Sequence, residues 1–379
     1  MTTVASETGD NVETLRRDSN ELYLLEFAAQ RPVFELAEPR QTAVPHLWAW
    51  EDYYPLLLRA ASVVDPDEAF RRSFMFSNPG LHPKPFMTPT LDGACSLYNP
   101  RETAPVHRHT PSASRLGLEG VGGFSTVQGE KCTLGRGDLV LTPNGTWHDF
   151  GNESDEQIVF IDVVNDPLCL ALGGTFYELG YSEIDSGSNS DEPIPKRLQS
   201  IREPLDYSQN LYATGGMVPK FAPQVRARDR DASPMFVYRY DETRATLEGL
   251  RDYDASPHDG VIMEYINPLN GEPAMPTMSF HMQLLRDGER TKSHRHTTST
   301  VYCVVEGTGE TEVGDTTLAW RRNDVFVVPG WVWHAHNVTA GADAVLYSVS
   351  DEATLRKLGL YREQGRADDG DIVEMTWSA

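Results

Sequence analysis

One pattern, written twice, constrains this 379-residue chain more than any other feature. His107-Arg108-His109 is followed some forty residues later by Trp147-His148, and His294-Arg295-His296 by Trp333-His334 with an extra His336. The copies lie 187 residues apart at the first histidine and 186 at the last. The segment before the final histidine repeats as well, Gly137-Asp138-Leu139-Val140-Leu141-Thr142-Pro143 against Asn323-Asp324-Val325-Phe326-Val327-Val328-Pro329. Such self-similarity means two homologous modules in one chain. Histidines at i and i+2 of a strand point to one face, so each triplet with its later partner offers three neutral imidazoles to a single ion.

Composition sets the outer bounds. With 39% apolar residues the chain can bury more than one core. It has no apolar run of eighteen, and the start MTTVASETGDNVETLRRD lacks the basic and apolar regions of a signal peptide, so the cytoplasm is the expected compartment. A net charge of −23 repels phosphate backbones and anionic membrane surfaces, which excludes nucleic acid and membrane as expected partners. Cys95, Cys132, Cys169 and Cys303 stand singly, which argues against a zinc ribbon, an iron–sulfur site or a thioredoxin motif. Their absence from the histidine clusters also argues against a thiolate-rich centre.

Within each module short β-branched and aromatic runs recur at intervals of a hairpin, the spacing of a β-sandwich or barrel. The first module reads as strands over 93–98, 115–118, 123–128, 138–142 and 157–163, and the second over 277–285, 300–305, 310–313, 317–320, 325–328 and 344–348. Residues 1–90 read as a partly helical arm, with leucines at helical spacing over 11–30 and 51–64 and a helix start at Asp65-Pro66-Asp67-Glu68. The division is then an arm over 1–90, a first module over 91–172, a connector over 173–256 with a surface loop near 185–191, a second module over 257–352, and a tail over 353–379 that is loose after about Gly365.

In the first module His107, His109 and His148 would converge on one metal. A set with no acid or thiolate suits Fe, Zn, Cu or Ni and leaves positions open for substrate. Counting by twos from His109 reaches Arg115, which places a guanidinium in the same cavity if the strand continues through Pro111. An arginine there suits two-point capture of a carboxylate. The plainer reading is a salt bridge to a core acid such as Asp162. Trp147 and Trp333 read as packing residues, and Gly120–Gly123 as a hairpin turn rather than a phosphate loop.

The order Gly137-(x5)-Pro143-x-Gly145-(x2)-His148-(x3)-Asn152 resembles the second cupin motif, and His107-Arg108-His109 followed by Gly120 resembles the first, with Ala113 and Ser114 where a glutamate is usual. Glu102 to His109, the Ala-x-Arg at Ala113–Arg115 and LTPxxTWHDxGN at Leu141–Asn152 resemble the bicupin ring-cleaving dioxygenases of gentisate, salicylate and 1-hydroxy-2-naphthoate. LWAWEDYYPLLLRA and FSNPGL in the arm, and HRHTTSTVY and VPGWVWHAHN in the second module, extend the likeness over most of the chain.

The resemblance implies a mainly β bicupin of two double-stranded β-helix barrels, using Fe(II) and O2 to split an ortho-hydroxy aromatic acid between the carbons bearing carboxylate and hydroxyl. It implies His107, His109 and His148 as ligands, Arg115 and the arm's Arg71 as pocket arginines, and Asp162 as a pocket acid. Three positions depart from the gentisate pattern: Phe150 replaces a histidine and should face the cavity, Ser96 replaces a glutamine, and Asp92 replaces an aromatic. Loss of an imidazole removes a polar partner for the substrate, which points to a substituted or bicyclic salicylate, such as a nitrosalicylate or 1-hydroxy-2-naphthoate, beside gentisate, the commonest activity of the family.

The second module keeps His294, His296 and His334 as a candidate metal site, but Tyr302 stands at the position of Arg115, which favours a structural role. His336 reads as a neighbour of that site or a core residue. The alternatives are a bicupin decarboxylase or isomerase, disfavoured by the missing carboxylate after the first triplet, and a non-catalytic binding bicupin. By the family resemblance a homo-oligomer, such as a tetramer, is expected.

Overall fold

A computed structural model describes residues 11–64, 72–180, 199–213 and 231–375. Arg71, the helix start at 65–68 and the loop near 185–191 lie outside the described residues. Residues 1–40 and 41–379 form separate units. The first contains the helices Val12–Glu21, capped by the Asn11 side chain, and Phe27–Phe34.

Each module is a pair of facing antiparallel sheets, and the predicted strands form within a residue or two of their expected limits. In the N-terminal barrel Ala113–Glu119, Leu139–Thr142, Ile158–Val164 and Asp92–Tyr98 lie in one six-stranded sheet. The facing five-stranded sheet holds Thr103–His109, His148–Asn152, Gly123–Val127, Glu130–Leu134 and, from the connector, Tyr177–Leu179. The C-terminal barrel repeats the plan with two six-stranded sheets.

Residues 41–90 are woven into both barrels. Strand His46–Trp48 pairs with Val325–Val328 of the C-terminal barrel, whereas Ser73–Met75 pairs with Asp92–Tyr98 of the N-terminal one. Helix Trp50–Val63 buries Tyr53, Leu57 and Ala60 between these attachments. The tail corrects the expectation of a loose end: Glu363–Arg366 pairs with His294–His296, and Ile372–Glu374 pairs with it in turn. The edge of the strand His294–His296 would otherwise present unpaired amide and carbonyl groups, and these strands satisfy them. The backs of the two barrels share one apolar core, in which Leu97, Leu116, Leu141 and Ile161 join Phe280, Met282, Val345 and Tyr347.

Candidate metal centre and substrate pocket

His107 and His109 owe their direction to a bulge. In strand Thr103–His109 the pairing with His148–Asn152 shifts between Ala104, opposite Phe150, and His107, opposite His148. Without that extra residue His107 would have the opposite parity to Ala104 and would face outward; bulges re-aim side chains in this way. The third ligand arrives after a tight turn in which Gly145 has φ +67°, and Gly145 donates its N–H to the His109 carbonyl. Gly137 of the same motif has φ +76° and carries the Tyr240 ring where a Cβ would stand. The middle arginine of the triplet points outward: Arg108 lies 4.7 Å over Trp147, and Arg295 4.3 Å over Trp331 and 4.8 Å over Trp333. Arginine and tryptophan thus brace the ligand strands from outside by cation–π contact.

His107, His109 and His148 could each offer one nitrogen to a metal, and these atoms all lie within 4.8 Å of one another. Each Nδ1 meets a main-chain carbonyl two residues away: His107 to Pro105 at 2.8 Å, His109 to Pro111 at 2.7 Å and His148 to Thr146 at 2.9 Å. A carbonyl only accepts, so Nδ1 carries the proton and Nε2 turns its lone pair inward. Three neutral nitrogen donors with no carboxylate among them fit a divalent first-row ion and leave positions open. His107 and His148 are buried, while His109 lines a cleft of about 210 Å³ with Arg108, Thr110, Gly145, Phe176 and Glu178.

Arg115 faces the same interior, although not along the strand first expected. The chain turns a corner at Thr110–Ser112, and Arg115 belongs to the six-stranded sheet opposite the histidines. It is directly opposite Asp162 and pairs with it in two-point fashion, Nε to Oδ1 at 2.7 Å and Nη2 to Oδ2 at 2.9 Å. Nη1 reaches across to Ser125 Oγ at 2.8 Å, so the expected cavity arginine and the plainer ion pair coexist. Three of the five guanidinium N–H groups are used in these bonds, which leaves two for a ligand.

The departures from the gentisate pattern also fall on this interior. Phe150 is 1% exposed, lies 3.6 Å from the Arg115 guanidinium and packs edge-on against His107 and Tyr98. Phe160 covers Arg115 at 4.3 Å. Ser96 is buried and bonds to the Ser73 hydroxyl from strand Ser73–Met75. Asp92 shares the face of Ser96 at the end of its strand, opposite Val164, with Oδ1 unpartnered among the described residues. Burial first, and the nearby Asp166 second, push its carboxyl up to about 8.

Sequence reasoning missed two contributors. Ser125 could have been found from strand parity in Gly123–Val127. Tyr177 carries no motif, yet connector strand Tyr177–Leu179 places it opposite His109, with its ring stacked 5.5 Å from His107 and 6.0 Å from His109.

In the C-terminal barrel His294, His296 and His334 converge equally closely, with nitrogens within 4.8 Å. Burial holds His334 well below the ordinary imidazole range and His336 at about 3, so both are neutral near pH 7. Burial opposes protonation of His294 too, but Asp259 and Glu363 outweigh it and raise its pKa.

Fold and site together define a bicupin with a three-histidine centre facing a buried arginine–aspartate pair. Residues 96–164 and 281–350 each match the cupin domain family. The chain is 40% identical to 5-aminosalicylate 1,2-dioxygenase of Comamonas sp, over 89% of this chain and 86% of that protein. It is 36% identical to gentisate 1,2 dioxygenase 1 of Aquipseudomonas alcaligenes, over 86% and 88%. The crystal structure of a salicylate 1,2-dioxygenase from Pseudaminobacter salicylatoxidans superposes with a TM-score of 0.80 at 27% identity, over 95% of this chain and 99% of that one. The chain belongs to the bicupin family of ring-cleaving aromatic-acid 1,2-dioxygenases. Among the described residues no carboxylate joins His107, His109 and His148 in a group that could hold a metal, in line with Ala113 and Ser114 standing where a decarboxylase would have its glutamate.

Proposed function

We propose that His107, His109 and His148 hold ferrous iron and that the substrate is a monocyclic salicylate with a small group para to its hydroxyl, of the kind named for the aminosalicylate and gentisate relatives. The observation that carries this reading is charge. Three neutral imidazoles and the internally compensated Arg115–Asp162 pair leave a divalent ion with its full positive charge, which favours a ligand bearing both carboxylate and phenolate. Iron bound there would gather substrate and dioxygen at one point and supply the redox chemistry that a d¹⁰ ion such as zinc lacks.

This chain's own residues do the positioning. Arg115 offers its two remaining N–H groups to the carboxylate, and Asp162 and Ser125 fix the plane of the guanidinium. Phe150 and Phe160 flank it and keep water out, which strengthens each polar contact inside. Tyr98, Phe150 and Phe160 crowd this end of the interior, which favours one ring over two. Arg71, by the family resemblance, adds a second cation for the carboxylate. The Nδ1–carbonyl bonds keep the three imidazoles aimed throughout.

Iron-loaded protein should consume one O2 per 5-aminosalicylate or gentisate and give a ring-opened product with new ultraviolet absorption, and 1-hydroxy-2-naphthoate should react more slowly. Equal turnover with zinc, or no oxygen uptake with any of these acids and 5-nitrosalicylate, would overturn the assignment. By the same family resemblance we infer a cytoplasmic homo-oligomer, whose mass light scattering measures directly. No helix among the described residues is long and apolar enough to cross a membrane.

A further inference from the structure

We propose that the C-terminal barrel binds a second divalent metal ion, at His294, His296 and His334 with the Asp259 carboxylate beside it, and that this ion is a charge-compensated structural one that takes no aromatic acid. The inference is independent of the substrate proposed above.

Two kinds of observation support the site. The three imidazoles converge as tightly as in the N-terminal barrel, and His294 and His334, 2% and 1% exposed, have Nε2 atoms with no hydrogen-bond partner among the described residues. A buried nitrogen left without a partner is costly, and two aimed at one point call for a shared cation. The outer atoms are fixed for ligation too: His334 Nδ1 meets the Val332 carbonyl at 3.1 Å, His296 Nδ1 the Thr298 carbonyl at 3.0 Å, and His294 Nδ1 faces Glu363 Oε1 at 3.5 Å.

The surroundings distinguish the two centres. Tyr302 lies opposite Ser348 in the register that Arg115 and Asp162 occupy in the other barrel. The residue opposite the second histidine of the triplet is Glu363 here and Tyr177 there. Asp259 precedes strand Val261–Glu264, whose counterpart is Ser73–Met75, and the sequence before that counterpart carries Arg71. Asp259 Oδ1 stands 3.6 Å from His294 Nε2.

The charges decide the role. Asp259 and Glu363 carry two negative charges against the ion's two positive ones, so nothing remains to attract an anionic substrate. Tyr302 stands in the register position where Arg115 is offered to a carboxylate in the other barrel. Tyr302, Val304, Trp320 and Phe326 belong to one buried apolar cluster, and the Tyr302 ring lies 5.2 Å from that of His336, itself 6.1 Å from the His334 ring.

Iron-edge anomalous diffraction from anaerobically reconstituted wild-type crystals tests this without a variant. Two peaks per chain are expected, one at each triad, and after a gentisate soak new density should appear only at the N-terminal one. A single peak at His107, His109 and His148 would overturn the site, and gentisate on the second ion would overturn its structural role. In solution, elemental analysis should give two ions per chain, and one after either His107→Ala/His109→Ala or His294→Ala/His296→Ala. Asp259→Asn should make the second ion about 10- to 100-fold easier for a chelator to remove, with the first unaffected. Unchanged retention in Asp259→Asn would remove Asp259 from the site.

Discussion

Arg115 shows how one side chain does two jobs. Its ion pair with Asp162 satisfies a buried charge, and the two N–H groups left over are those proposed above to hold the substrate carboxylate. Arg115→Lys keeps the charge but loses the planar geometry. It should lower kcat/KM about 10- to 100-fold, mostly through KM, with iron content unchanged, since a charged hydrogen bond is worth about 1.5–3 kcal/mol. Oxygen uptake with parallel iron analysis checks this, and wild-type kcat/KM would remove Arg115 from substrate binding. Asp92 yields a pH prediction of definite sign. Its folded pKa, raised from 3.8 to about 8, means that the native state holds a proton the unfolded chain releases. That stabilisation is complete below pH 3.8 and is lost as pH rises towards 8. Asp92→Asn should therefore unfold at a higher temperature than wild type at pH 8, by at least about 1 kcal/mol in stability, with the difference vanishing or reversing near pH 4. Parallel melting curves across that range would refute the assignment.

At the scale of elements, the repeat, the strand runs and the turn glycines were readable because each is a local consequence of side-chain chemistry: β-branched runs, Gly145 at positive φ, histidines at i and i+2. What escaped depended on partners distant in sequence. The parity count that carried Arg115 inward ran through Pro111 as though one strand continued, whereas the chain changes sheets at that corner. Arg115 still faces inward because its own strand, paired with Ile158–Val164, has that parity. Pro105, which cannot donate to a ladder, was the local sign of the bulge that turns His107 inward. Tyr177 and the tail strands were missed because acidic, irregular segments carry no period of their own; the open edges of the two ligand strands order them. The tail can be tested directly. Deleting residues 363–379 exposes the edge of His294–His296 and removes Glu363, so the melting temperature should fall and the C-terminal ion should be lost first. An unchanged melting curve would mean that this strand pairing adds nothing to stability.

Across residues 41–379 the two barrels are not beads on a string. Arg136, from the turn before strand Leu139–Thr142, bonds to the Leu118 carbonyl on its own side and to Asn323 Oδ1 and the Val305 carbonyl of the other barrel. Glu119 accepts from Arg322 and Asn323, and Thr90 donates to Asp351. These polar ties surround the apolar core in which Leu116, Leu118 and Leu141 meet Phe280, Met282 and Tyr347. Separating the barrels would expose that core and leave the buried Asn323 and Asp351 without these partners. Neither barrel is therefore expected to be a stable folding unit alone, and the second one supports the N-terminal barrel through this seam. Calorimetry of the metal-free protein should show one transition for residues 41–379, with calorimetric and van't Hoff enthalpies in agreement. Arg136→Ala should lower that transition as a whole. Two transitions, with only one shifted by Arg136→Ala, would mean that the barrels fold independently and that the second supports the first only through its tether.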